Sequence, residues 1–274
     1  MDHRSLTAAL LAAALLASPL KAADTPNPLT DSPTWDSLRA DVTGQDTPIP
    51  AADGLFTLDA PYRAEDAATV PLRIVQADPS VPIRAATVVI DENPAPVAGT
   101  FTFSEAMAPL DFEFRVRVNQ YSNVRVIADT PGGLRMDGRF VKASGGCSAP
   151  ATKDPEQALA GMGQMRLRLF GQEPAAEPAM STPRREAQIM VRHPNYSGLQ
   201  RDQITQLFIP AHFIDHLEVW QGEEQLFAMD GGISISENPA FRFSYDAHGA
   251  PALTVRATDT EGNRFETVLP KAGG

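Results

Sequence analysis

The sequence predicts an all-β chain built as two immunoglobulin-like β-sandwich domains joined by a Gly/Pro-containing linker, with a short N-terminal helix on the first. Three observations carry that prediction. Short runs of alternating apolar and polar residues recur along most of the chain, separated by turn residues. A glycine- and proline-bearing stretch over 143–163 lacks that rhythm and splits the runs into two series. The 274 residues include 24 Pro and 19 Gly, a composition suited to many turns and short strands.

Taken in order, residues 1–23 read as an export signal. His3 and Arg4 open it, Leu6–Leu16 is an apolar run, Ser18-Pro19 breaks the run, and Ala22-Ala23 supply small residues. That run falls short of the roughly 20 residues that span a bilayer, so the expectation is a periplasmic product with no stable membrane insertion. The first sandwich is expected over 24–142. Ser32-Pro33 offers a cap and a first-turn proline, with Trp35, Leu38 and Val42 on one helical stripe. Strands are predicted at Thr69–Gln76, Ile83–Asp91, Val97–Ser104, Asp111–Asn119, Asn123–Ala128 and Leu134–Val141. Asp111–Asn119 is the clearest, with Phe112, Phe114, Val116 and Val118 alternating with Glu113, Arg115 and Arg117. The second sandwich is expected over 164–274, with strands at Met165–Phe170, Gln188–Arg192, Ile204–Ile209, Phe213–Gln221, Gln225–Met229, Phe241–Tyr245, Leu253–Ala257 and Phe265–Leu269.

Charge and cysteine usage narrow the function. The chain carries 34 acidic and 23 basic residues, net −11, with a pI near 4.9. That balance argues against a nucleic-acid partner, which needs a basic face. A hydrophobic share of 43% supports packed cores. One cysteine excludes an intramolecular disulfide, an iron–sulfur cluster and a thiolate zinc site.

That cysteine is Cys147, in Lys142-Ala143-Ser144-Gly145-Gly146-Cys147-Ser148-Ala149-Pro150. Its small neighbours suggest nothing to bury it against, and the paired glycines suggest a mobile arm. From Phe140, an extended chain would carry the thiol about 23–25 Å. Lys142 and Lys153 bracket it, and ammonium groups nearby would favour the nucleophilic thiolate. On the residues alone, an incidental surface cysteine and a functional thiol are equally open.

No catalytic set emerges from spacing, and neither a haem motif, a phosphate loop nor a nucleophile elbow is present. His212, Asp215 and His216 cluster in sequence. On a strand the two histidines would lie about 13 Å apart, too far for one metal, so no metal and no cofactor are expected. His193-Pro194 reads as a strand end.

Gly145-Gly146-Cys147 after a sandwich of this size, with Ala98–Phe103 and Asn123–Ala128 before it, resembles the carrier arm of the Y subunit of the Sox sulfur-oxidation system. The second half is similar to the Z subunit through Met165–Arg168, Val191–Pro194, Gly198–Asp202, Ile209–Ile214, Asn238–Phe243 and Val255–Asp259. As one polypeptide it looks like the fused SoxYZ-like carriers associated with quinoprotein dehydrogenases. The resemblance implies a non-enzymatic carrier. Cys147 would be the covalent attachment site for a small sulfur-containing cargo, Gly145 and Gly146 the swivel, and periplasmic Sox-type or quinoprotein/cytochrome enzymes the partners. Here Ser148-Ala149-Pro150 follow the cysteine, so the arm is tethered at both ends. The alternative is a non-covalent accessory or chaperone of a quinoprotein (PQQ-type) alcohol dehydrogenase that ignores the thiol. A weaker one is a redox-sensing or adhesive surface protein.

Overall fold

The computed structural model describes residues 26–150, 159–170 and 184–271. The expected export segment, Lys153 and the Pro- and Ala-rich stretch over 171–183 lie outside them. Helix α1 (Pro33–Thr43) begins where the sequence places it. Ser32 Oγ accepts from the Trp35 amide, and Gly44 ends the helix in the left-handed region. Among the described residues no helix is long and apolar enough to cross a membrane.

The first half supplies β1 (Phe56–Asp59), β2 (Val70–Gln76), β3 (Ala85–Ile90), β4 (Val97–Phe103), β5 (Asp111–Val116), β6 (Ser122–Thr130) and β7 (Gly133–Val141). The second supplies β8 (Met165–Phe170), β9 (Arg184–Val191), β10 (Ile214–Gln221), β11 (Glu224–Gly231), β12 (Ala240–Asp246), β13 (Ala252–Asp259) and β14 (Arg264–Pro270). The strand expected at Ile204–Ile209 is instead a turn-rich loop: Asp202 Oδ1 accepts from the amides of Ile204 and Thr205, and this Asx-type turn displaces a ladder.

The fourteen strands of the described residues form two sheets, and both run through the two halves. One is ordered β1-β2-β5-β12-β9-β8, the other β14-β13-β10-β11-β4-β3-β6-β7. The halves meet edge to edge, through β4 with β11 (Phe103 opposite Phe227) and β5 with β12 (Phe112 opposite Phe243). Strand edges that would be exposed in either half alone are thereby paired. Inward-facing positions of these four strands place Phe101, Phe112, Phe227, Phe241 and Phe243 in one buried cluster, with Phe112 and Phe227 ring centroids 5.0 Å apart. The halves thus share an aromatic core within one two-layered sandwich. Outside the larger sheet, α1 packs Trp35 on Val89 and Ile127, and Arg125 lies 4.7 Å from the Trp35 ring. The Arg125 guanidinium is paired bidentately with buried Asp91.

Candidate functional site

Cys147 sits where the two halves meet, and it is fully buried. The route to it is pinned at each step. After β7, the Lys142 amide donates to Tyr62 O, Ala143 joins the core, and the Gly145 amide donates to Asn119 O at 2.8 Å. The Gly146 amide then donates to Val118 O at 3.1 Å, and the Ser148 amide closes a turn onto Gly145 O. From the second half, Ser197 Oγ donates to Cys147 O at 2.5 Å.

In this structure the arm lies docked between the halves. The physical reason is the smallness of the arm residues. A Cβ on Gly146 would lie 2.0 Å from Ala67 O and 2.7 Å from Val118 O, so only glycine lets the arm lie this close to neighbouring backbone. Gly145 has φ +79°, the left-handed conformation its turn requires. Both glycines, expected as a swivel, here fit the arm to its dock, using backbone from residues 67 and 118–119 that are distant in sequence.

Of the two lysines expected beside the thiol, Lys153 lies outside the described residues. Burial raises the Cys147 thiol to about 11, and the opposing pull comes from Arg117. Lys142 places its ammonium 4.6 Å from the Tyr62 ring centroid. Arg117 is the residue that sequence reading missed. It follows β5 on the outward side of the alternation, yet it is 1% exposed. The segment 232–236 covers it: its amide donates to Ser234 O and its Nη1 to Ile235 O at 2.8 Å. A charged residue at an outward strand position reads as solvent-facing, so no signal in the pattern marked it.

A second buried constellation lies under the Ser197 loop. His193, His212 and Asp259 bring their ligating atoms within 4.8 Å of one another. His216 is not part of this constellation and pairs instead with Asp230 and Glu218. The three groups make a hydrogen-bonded network. Asn195 N–H donates to His193 Nδ1 at 3.0 Å, so that nitrogen is unprotonated and Nε2–H donates to Asp259 Oδ2 at 3.3 Å. A metal on His193 Nε2 would need a proton on Nδ1, facing the Asn195 N–H, or an imidazolate. The donor set therefore does not fit a metal. Asp259 Oδ2 also receives His212 Nε2 at 2.8 Å and Asn263 Nδ2 at 2.9 Å. The Tyr196–His212 backbone pair connects this network to the loop carrying Ser197.

Both ends of the network respond to acid. Burial lowers the His193 pKa from 6.5, so it lends stability above pH 6.5 that is lost as pH falls and the unfolded chain takes up a proton the folded ring resists. Asp259 is lowered from 3.8 to about 2: burial acts upward, and hydrogen bonds from Asn263, His212 and His193 outweigh it. Its contribution is present above pH 3.8 and lost between there and about 2. His216 is raised, with burial opposing Asp230 and Glu218, and has the opposite sign. The expected result is therefore a difference: urea midpoints of wild type and His193→Gln diverge less at pH 5 than at pH 7. Parallel pH profiles would show that His193 titrates alike in both states.

Comparison with known proteins places these features in a family. Residues 39–147 match the family described as sulfur oxidation protein SoxY, and residues 176–270 match that described as sulphur oxidation protein SoxZ. The chain is similar to the solved structure of the sulfur carrier protein SoxY from Chlorobium limicola f thiosulfatophilum. Identity is 25% over 40% of this chain and 94% of that one, with a TM-score of 0.33. No curated protein sequence matches. With a SoxY-type segment followed by a SoxZ-type segment in one polypeptide, the chain is a fused member of the SoxYZ-like sulfur-oxidation family.

Proposed function

We propose that this chain is an exported, periplasmic covalent carrier, not an enzyme, that holds a small sulfur-containing intermediate on Cys147 and presents it to partner enzymes. The observation that carries the reading is the position of Cys147. The single cysteine ends the SoxY-matching segment on a Gly-Gly turn and rests at the junction of the two halves. The docked thiol is protonated at neutral pH and inert. Release of the arm returns it to water, where the ordinary thiol value of 9.0 raises the thiolate share about a hundredfold. Thiol–disulfide-type exchange with an oxidised sulfur species then forms an S–S-linked conjugate, the leaving sulfur departing with the electron pair of the broken bond. Breaking the few hydrogen bonds of residues 145–148 is a local opening, far smaller than global unfolding. Because the chain continues into the second half, the arm meets its Sox-type or quinoprotein/cytochrome partner as a hairpin.

The burial of the thiol favours one second reading, the non-covalent accessory of a quinoprotein dehydrogenase. Intact-mass measurement on protein taken from its own host without reductant separates the two. The carrier reading expects an added mass on the Cys147 peptide and loss of pathway activity in Cys147→Ser. A bare thiol throughout, with full activity in Cys147→Ser, supports the accessory.

A further inference from the structure

Arg117 is charged, buried and poorly matched. A guanidinium keeps its charge in proteins and offers five N–H donors. Here Nη1 has Ile235 O, while Nε is buried with no hydrogen-bond partner. Among the described residues no carboxylate forms an ion pair with it, in contrast to buried Arg125 with Asp91. Burying such a cation without a partner is unfavourable, so the fold retains a site that an anion would complete.

The acidic groups whose charge reaches Arg117 are Glu237, then Cys147, then Asp66, and of the three only Cys147, on the arm, is buried. Gly146 N–H is bonded to Val118 O, one residue beyond Arg117, and Cys147 follows directly. Both Cys147 and Arg117 are cut off from water. Each feels the other's charge: Arg117 opposes the upward shift of the thiol, and the thiolate would oppose the downward shift that burial imposes on Arg117. A neutral thiol leaves the guanidinium with only the partly exposed Glu237 and the exposed Asp66, neither of them ion-paired with it.

We infer that Arg117 is the receptor for the anionic outer end of a group carried on Cys147, so that the docked arm retains anionic passengers in preference to neutral ones. This rests on the carrier reading above. A sulfonate-ended conjugate fits the chemistry, since its oxygens accept a charge-assisted hydrogen bond from the unpartnered Nε. Arg117 acts on the docked population, not on the bond itself.

The test uses the full chain with two defined adducts. Tetrathionate converts the Cys147 thiolate to Cys147–S–S–SO3⁻, with thiosulfate leaving. Methyl methanethiosulfonate converts it to neutral Cys147–S–S–CH3, with methanesulfinate leaving. Each adduct is confirmed by intact mass and then released by dithiothreitol, which is oxidised to its cyclic disulfide as Cys147 returns to the thiol and the passenger leaves as thiosulfate or as methanethiol. Release rates are normalised to the same adduct on the urea-unfolded chain, which removes intrinsic reactivity. In the wild type the methylthio adduct is expected to be released about tenfold faster than the anionic one, the size of one charge-assisted hydrogen bond. Arg117→Gln is expected to bring the ratio to about one. A ratio of one in the wild type overturns the inference without any variant, as does an unchanged ratio in folded Arg117→Gln. A cysteine found bare in host-derived protein would sink the carrier reading while leaving the difference between the two synthetic adducts intact.

Discussion

Gly146→Ala is expected to increase labelling of Cys147 by iodoacetamide at pH 8 by about a hundredfold. The added methyl would sit 2.0 Å from a backbone oxygen, Ala67 O, and 2.7 Å from a second, Val118 O, and neither can swing aside as a side-chain tip would. The arm must leave its dock, and the thiol goes with it. At a pKa of about 11 only about one docked thiol in a thousand is ionised at pH 8. At the ordinary 9.0 it is about one in ten, so ionisation alone accounts for the factor. The pH at half-maximal labelling should move down accordingly. The global fold should survive, because the arm contributes Ala143 to the core and little beyond it. Unchanged labelling in a folded variant would mean that the contact at Gly146 does not hold the arm.

The sequence foretold most of the strands because alternation is a local property: Phe112, Phe114 and Val116 announce a half-buried strand whichever neighbour they meet. The start of α1 was equally legible, since a cap and a first-turn proline act within a single turn. What stayed hidden depends on contacts between residues far apart in the chain. Pairing of β4 with β11 joins two halves whose strands, read separately, describe two self-contained sandwiches. Gly146 reads locally as backbone freedom, and its close approach to Ala67, 79 positions earlier, is visible only in the fold. Cys147 was visible by type and not by environment, because Arg117 and Ser197 reach it only in the fold. His193, His212 and Asp259 gave no cue either, since their spacings match no local motif and topology alone brings them together.

Asp259→Ala is expected to lower the melting temperature by on the order of 10 °C, from a loss of about 3–5 kcal/mol. The carboxylate is a hub with nothing to replace it. Oδ1 accepts from the amides of Glu261 and Asn263, which shape the turn between β13 and β14, and Oδ2 accepts from His193, His212 and Asn263. Removing it leaves two buried imidazoles, two backbone amides and a side-chain amide without their acceptor. The damage should also reach the carrier thiol. Tyr196 is bonded to His212 through paired backbone hydrogen bonds at 2.7 and 3.0 Å, and the next residue, Ser197, holds Cys147 O. Labelling of Cys147 should therefore rise in the variant at temperatures where the rest of the fold is intact. The same network answers the metal question by a separate route. Exhaustive treatment of the wild type with EDTA should leave its melting temperature unchanged, because the histidines and Asp259 satisfy one another directly. A fall on chelation, reversed by zinc, would turn this hub into a metal site and reverse the proton assignment made for His193.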